Sequence, residues 1–467
     1  MKNKSSFGLI RISALVIVIS ILFTLLCSCA GVVRVFDLEN LSKEEIIDNI
    51  DSLEEKRYQN VRDYIIDYGI RRFDVNKFRW AENVFNLSFN LEGGLPSTFD
   101  HAKMTITAFM ENYYDDLNMD DEDAVTDALI TCYVNAVGDE YSIYRTPVEE
   151  DDYSGDMSGK FGGIGVVIEY NHTDETLLVS SVYIDSPAEE AGILVGDFIV
   201  AVEGKTVEEI GYLNVVNLVR GDIGTKVNLT VKRGDALIDI VATRAEVEEK
   251  TVAFEILEGN IGYVQIASFK DNTYKQFVEA IDTLEAAKVK GYVFDLRNNL
   301  GGFVHSVVSI VSYLIPDGHP IISYQYKNST SKVTNSTTDI HPITGAKADH
   351  KISVPVSVLC NEYTASAGEL FTAAMRDYAD DGIIDATIVG KKTYGKGIMQ
   401  GQYIYDDGSS ITLTVAYYNP PCGENYHIKG ITPTPENTVD NEIVNNILVD
   451  KQLPLAIERL KAKINAN

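Results

Sequence analysis

Hydrophobic and polar positions change rhythm several times along this chain. An uninterrupted, weakly polar-to-apolar run, ISALVIVISILFTLL at 12–26, comes first. From about residue 40 to 152 apolar residues recur at helical spacing on an acidic background. The stretch LSKEEIIDNIDSLEEKRYQNVRDYIIDYGI opens with Ser42 as a cap and Glu45 three residues later. A polar, Gly/Ser-rich stretch, DDYSGDMSGK at 151–160, then reads as a boundary. Beyond it FGGIGVVIEY predicts a glycine-led strand. DSPAEEAGI predicts a short helix with Ser186 as cap, Pro187 at the first helical position and Gly192 at its end. FIVAVEGKTV predicts two strands about a Glu-Gly turn, YLNVVNLVRG an amphipathic helix, and KVNLTVKRG an alternating strand. Past residue 250, IGYVQIASF, NTYKQFVEAIDTLEAAK and KGYVFDLRNNLGG alternate strand, helix and strand, which predicts an α/β core.

Composition adds two exclusions. Forty basic against sixty-nine acidic residues give a net charge of −29, which repels nucleic acid phosphates, so no nucleic acid partner is expected. Lys2, Lys4 and Arg11 precede the apolar run, the pattern of an export signal. As a helix that run spans about 22 Å, short of a ~30 Å hydrocarbon core. LCSCAG follows it and resembles the bacterial lipobox, which implies Cys29 as the lipidated first residue of the mature chain; the alternative is an uncleaved helix anchor. Either way the body of the chain is expected outside the cytoplasm, tethered to a membrane. Cys132, Cys360 and Cys422 are scattered without metal-ligand spacing and read as free thiols. No metal or cofactor is expected. The acidic helical region packs either on the core or on a partner subunit, the latter making a homodimer.

The unit after residue 157 resembles a PDZ domain in the order and content of its elements. That resemblance puts Phe161, Gly162, Gly163, Ile164 and Gly165 in the loop whose backbone amides hold a peptide carboxylate. Glycines there let N–H groups converge on an anion, and a strand edge then accepts an extended peptide. Arg220, in LVRGDIGT, is the residue through which the resemblance links peptide occupancy to the active site.

Two further segments carry candidate chemistry. In NEYTASAGELF, Ser366 stands between the apolar strand VPVSVLC and the helical AGELFTAAMRDY. A serine there is either a helix cap or a nucleophile facing free N–H groups and the positive helix end. In GKKTYGKGIMQ, Lys396 lies between two glycines with Gln400 four residues on. Gly390, Gly395 and Lys396 fit G-x-x-x-x-G-K. Gly397, however, occupies the Ser/Thr position and IMQGQYIY reads as a strand, so no nucleotide is expected. In DLRNNLGG, paired glycines end a strand before an apolar helix, either as a turn or as amides exposed to an oxyanion.

Together these residues resemble the carboxyl-terminal processing peptidases, PDZ-bearing serine proteases of the bacterial envelope, from DEYSIY at 139 to GITPT at 431. The resemblance implies a ClpP/crotonase-like α/β protease core, Ser366 as nucleophile, Lys396 as general base and Gln400 as the residue orienting the lysine. It also implies backbone N–H groups of Gly301 or Gly302 and Ala367 as oxyanion donors, and protein or peptide substrates with free C-termini. The expected divisions are 1–29 export signal, 30–157 helical region, 158–247 PDZ domain, 248–448 protease core and 449–467 C-terminal helix. Leu300 replaces the family's usual proline, Gly368 a frequent serine, and ADDGIIDAT lengthens the Ser-to-Lys connection. A lysine amine is almost wholly protonated at pH 7, so a base at Lys396 has to be made neutral by burial away from carboxylates. Other classes remain: an inactive PDZ scaffold, a crotonase-like acyl-thioester enzyme, and a histidine-based triad using His305 or His427.

Overall fold

The computed structural model describes residues 43–44, 46–47, 58–67, 69–88, 94–171, 176–183, 185–316, 318–327, 330–334, 352–444 and 447–466. The apolar run 12–26, Ser42, Glu45 and Cys29 lie outside them. Among the described residues no helix is long and apolar enough to cross a membrane. The chain divides into two compact units, residues 1–146 with 401–414, and residues 147–400 with 415–467.

The first unit contains the helices α1 (Val61–Asp67), α2 (Val75–Phe85), α3 (Thr98–Asn112) and α4 (Glu122–Asn135), and the strand β1 (Ile143–Arg145). Side-chain caps start three of the helices: Asp74 accepts from the N–H of Asn76 and Lys77, Ser97 from Asp100, and Asp121 from Ala124. Ile65, Phe78, Ala81, Ile106, Phe109 and Leu129 are buried between them. β1 pairs antiparallel with residues 410–412. Buried Lys77 binds Asp127 at 2.7 Å and Asp407 at 2.6 Å, so the 401–414 segment is held by an ion pair at its tip.

The second unit opens with α5 (Pro147–Ser158). The polar stretch read as a boundary is therefore helical as far as Ser158. Pro147 at the helix start and Glu149 and Glu150 in the first turn favour that helix. A PDZ-like module follows: β2 (Lys160–Gly163), β3 (Val166–Asn171), β4 (Thr176–Val182), α6 (Pro187–Glu190), β5 (Phe198–Val202), β6 (Lys205–Thr206), α7 (Val207–Ile210), α8 (Tyr212–Val219), β7 (Lys226–Arg233), β8 (Ala236–Thr243) and β9 (Ala245–Glu248). Ser186 caps α6 with Pro187 in its first turn, as its spacing predicts. The sheet order is β3-β4-β5-β7-β8, with β6 on β5. Leu177, Val179, Ile199, Val215, Val227 and Leu229 form its core. β3 is an edge strand, paired with β4 on one side.

The core alternates strand and helix: β10 (Val252–Leu257), β11 (Ile261–Ile266), α9 (Thr273–Ala286), β12 (Tyr292–Asp295), α10 (Val304–Leu314), β13 (Pro320–Tyr326), β14 (Thr330–Thr334), β15 (Val356–Cys360), α11 (Ala367–Asp380), β16 (Ala386–Gly390), β17 (Ile398–Ile404), β18 (Ser410–Asn419) and α12 (Gln452–Ala466). The central sheet runs β10-β11-β12-β15-β16, parallel from β11 onward. β12, β15 and β16 are buried on both faces, as covered parallel strands must be, whereas the antiparallel edge strand β10 is largely exposed. Val264, Phe294, Val358 and Ile388 point into the layer with α9, α10 and α11. The alternate residues Ile261, Val293, Leu359 and Val389 meet Ala456 and Leu460 of α12 on the other face. β13, β14 and the 416–419 end of β18 form a second antiparallel ladder. Among the described residues the cysteines are free thiols, Cys132 and Cys360 buried and Cys422 exposed.

Candidate active site

Strand order places the site. β12, β15 and β16 are neighbouring parallel strands, so the segments leaving their carboxyl ends emerge side by side. These segments are the glycine loop 296–302, the serine turn 361–366 and the lysine loop 391–397. They are tied together by backbone and amide hydrogen bonds. Asn298 N–H donates to Asn361 Oδ1 at 3.0 Å, and Asn361 Nδ2 donates back to Asn298 Oδ1 at 2.8 Å. Ala365 N–H donates to the Asn299 carbonyl at 2.9 Å and Tyr394 N–H to the Thr364 carbonyl at 3.0 Å. Behind the glycine loop, Arg297 grips Asp295 and reaches Asp450 at 2.8 Å, while the Tyr263 hydroxyl donates to Asp295 at 2.7 Å.

Ser366 takes the N-cap position of α11 but not the conformation of an ordinary cap. Caps are extended, whereas Ser366 has φ 53° and ψ −118°. Such backbone costs about 1–3 kcal/mol and persists where the surroundings over-determine it. The surroundings here are Glu369, whose Oε2 accepts the Ser366 N–H at 3.0 Å, and Gly301. A Cβ on Gly301, which has φ +108°, would stand 2.7 Å from Ser366 Cβ and 3.0 Å from Ala367 N. Only glycine lets the loop press this close.

Of the expected amide donors, Gly301 is already engaged, its N–H donating to Asn299 Oδ1 at 2.8 Å. Among the described residues the N–H groups of Gly302 and Ala367 meet no protein acceptor.

Lys396 and Gln400 are half-buried, the latter on β17. The lysine loop meets the serine turn through two side chains that sequence reasoning missed. Buried Glu369 accepts from Thr393 Oγ1 at 2.5 Å and Gly395 N–H at 2.7 Å through Oε1, and from Lys396 N–H at 2.7 Å through Oε2. The serine and lysine backbones therefore share one carboxylate oxygen. Burial pushes the Glu369 carboxyl above the usual carboxylate range, against the pull of its four donors. A carboxylate thus lies in a neighbourhood expected to lack one. Its signal was present in S-A-G-E, which reads simply as a capping box.

The second side chain is buried Tyr418. Its hydroxyl donates to the Lys396 carbonyl at 2.8 Å and stands 3.5 Å from Ser366 Oγ. Burial raises its pKa and keeps it a phenol. The ADDGIIDAT segment is absorbed by the end of α11, the turn at Gly382 and β16, so it leaves the lysine loop on Glu369. His305 Nε2 lies 2.9 Å from Asp271 and His427 packs edge-on to Tyr417. Among the described contacts Ser366 Oγ meets no imidazole.

The same unit holds a cleft of about 370 Å³ between β3 and α8, lined by Phe161, Gly163, Ile164, Gly165, Val216 and Arg220 among others. The expected carboxylate loop is partly strand, since Phe161–Gly163 belong to β2 and pair with β9; at Gly162 a Cβ would stand 2.0 Å from the Gly221 carbonyl oxygen, so Gly221 packs on β2 only with glycine there. The Arg220 guanidinium lies 4.4 Å from the Phe161 ring centroid and 3.8 Å from Asp156.

An α/β core with this serine turn, joined to a PDZ-like module, defines the class of PDZ-bearing serine peptidases. Residues 260–436 match the model of peptidase family S41, and residues 178–233 that of the PDZ domain. The chain is 35% identical over 338 residues to the carboxy-terminal processing protease CtpA of Bacillus subtilis (strain 168), covering 72% of this chain and 68% of that one. It is 36% identical over 309 residues to a probable CtpA-like serine protease of Staphylococcus haemolyticus (strain JCSC1435), covering 66% and 59%. Among solved structures, the photosystem II D1 C-terminal processing protease aligns at 23% identity with a TM-score of 0.45, over 82% of this chain and 96% of that one. The chain belongs to peptidase family S41, among the carboxy-terminal processing proteases.

Proposed function

We propose that the chain is a serine endopeptidase that processes or degrades extracytoplasmic proteins, anchored to the membrane through Cys29, and that its PDZ module selects substrates by their free C-termini. Ser366 is the nucleophile, Lys396 the general base and Gln400 the residue that orients the lysine. The observation that carries this reading is the strained Ser366 turn, whose backbone shares the Glu369 carboxylate with Lys396. In the reaction the neutral Lys396 amine takes the Ser366 Oγ proton as Oγ attacks the peptide carbonyl. The Gly302 and Ala367 N–H groups hold the oxyanion, with Gly301 shaping the approach. The protonated lysine then gives its proton to the leaving amine, and water releases the acyl group. The edge strand β3 supports peptide addition in the cleft, and the carboxylate is received where the end of β2, Phe161–Gly163, turns through Ile164 and Gly165 into β3. A PDZ scaffold without chemistry is not favoured, because it leaves the strain at Ser366 without a use.

The test is incubation of the purified chain beginning after Cys29 with an unfolded protein, beside Ser366→Ala and Lys396→Ala. Wild-type protein is expected to cleave, with kcat/KM rising with pH, and both variants to be nearly inactive while still folded and binding peptide. Full proteolysis by folded Lys396→Ala would sink the dyad and turn attention to His305 and His427.

A further inference from the structure

Among the described residues Ile428 is the one β-branched residue with a positive φ, at +66°. A β-branched side chain is poorly suited to that backbone, which glycine or asparagine adopts readily. The strain is not repaid by burial, since Ile428 is 66% exposed. What holds it is the lysine loop. Ile428 N–H donates to the Gly395 carbonyl at 2.7 Å, and a Cβ on Gly395 would stand 3.0 Å from the Ile428 carbonyl carbon. The neighbouring bonds tie the same two segments, Thr393 N–H donating to the Ile431 carbonyl at 3.0 Å and Asn425 Nδ2 to the Gly397 carbonyl at 2.9 Å. Residues 425–431 are thus a strap laid along the segment that carries Lys396, with an isoleucine turned out at its middle.

Exposed apolar side chains recur on the other loops of the site. Tyr394, two residues before Lys396, is 54% exposed and its N–H is bonded to Thr364 in the serine turn. Tyr363 is 58% exposed in that turn, and Leu300, beside Gly301, is 72% exposed. Each site segment therefore carries a large apolar side chain in water within three residues of Ser366, Lys396 or Gly301. Strain kept without a packing return marks function rather than stability.

We infer that Ile428 and Tyr394 are specificity-determining residues, forming an apolar shoulder that binds an apolar side chain of the extended substrate next to the scissile bond. This rests on the peptidase reading of Ser366 and Lys396. The occupant is a side chain such as leucine or valine, which unfolded proteins expose and folded ones bury. Covering it removes apolar surface of both partners from water. Selectivity for such side chains follows without any charged contact, which suits a chain of net charge −29.

The experiment uses the detergent-solubilised full chain and two peptides with the same free C-terminal tail, carrying either Leu or Ser beside the bond that the wild type cuts. Wild-type protein is expected to prefer the Leu peptide by about tenfold or more in kcat/KM, the discrimination usual for one apolar side chain in an apolar site. Ile428→Asn, which suits the positive φ, is expected to lower that preference several-fold while raising Tm. Tyr394→Ser is expected to lower the preference with no gain in Tm. An unchanged Leu-to-Ser ratio in both variants overturns the inference, as does a wild type without Leu preference. A lower Tm for Ile428→Asn assigns the residue to packing and overturns it too. Absence of any Ser366-dependent cleavage is a different result, one that removes the peptidase reading itself.

Discussion

Glu369→Gln removes a charge and almost no volume, at the point where the serine and lysine segments meet. The carboxylate accepts four hydrogen bonds, two on each oxygen. Glutamine keeps one oxygen, so two donors are retained in weaker neutral bonds and the other two face an NH2 group. A buried donor left unsatisfied costs about 1–3 kcal/mol, hence about 2–6 kcal/mol for two, and relief of the buried charge offsets part of it. A net loss of about 2 kcal/mol corresponds to a fall in Tm of about 4–8 °C at the 2–4 °C per kcal/mol of a large domain. The effect on rate is expected to be larger than the effect on stability. Moving reacting groups by about 1 Å costs on the order of a hundredfold, and the two repelled donors include either Ser366 and Lys396 N–H or the loop between them. The assay is calorimetric melting beside steady-state cleavage of an unfolded protein, with PDZ peptide binding measured separately. The expected pattern is a modest fall in Tm, kcat reduced about a hundredfold and peptide binding retained. A folded Gln variant with kcat/KM within threefold of wild type would refute the role given to this carboxylate.

Four further outcomes follow from named residues. The Glu369 carboxyl pKa is raised above 4.5 in the folded chain, so the folded state takes up this proton first as pH falls, and over that window protonation adds stability while removing an acceptor from the site. As pH is lowered, this protonation should therefore remove activity before pH 4.5 is reached, with no accompanying unfolding, and inactivation coincident with loss of circular dichroism would contradict this. Gly301→Ala places a Cβ 2.7 Å from Ser366 Cβ at φ +108°, and is expected to lower kcat about a hundredfold in a folded protein, as active-site titration with a serine-directed reagent would detect. Amidating the C-terminus of a PDZ-bound peptide removes charge-assisted bonds and should weaken binding about tenfold or more by calorimetry; unchanged affinity excludes carboxylate capture. Cys29→Ala should change the mass of the mature chain and release it from salt-washed membranes, and identical fractionation of the two forms rules out the lipid anchor.

The order of the PDZ-like elements, the α/β alternation after residue 250 and the candidate serine and lysine were legible in the sequence. Each depends on interactions within a few residues: a cap at Ser186, apolar alternation in KVNLTVKRG, a glycine pair after an apolar strand. The polar stretch 151–160 misled for the same reason, since its glycines and serines argue for a turn, yet Gly155 is carried inside a helix that starts at Pro147. Tertiary structure alone decided what meets what. DLRNNLGG and NEYTASAG are separated by α10, β13, β14 and β15, and they come together because β12 and β15 pair in parallel, with Asp295 opposite Leu359. The same sheet order brings Gly390 beside Cys360 and so the lysine loop beside the serine turn. Glu369 drew no notice in the sequence, because the Lys396 N–H it accepts is 27 residues away. Likewise Tyr418, one tyrosine of 26, gained a role only when β18 carried its hydroxyl to Ser366. Local patterning acts over one turn or one strand, whereas an active site is an agreement between distant strand ends, and only the pairing of the sheet sets it.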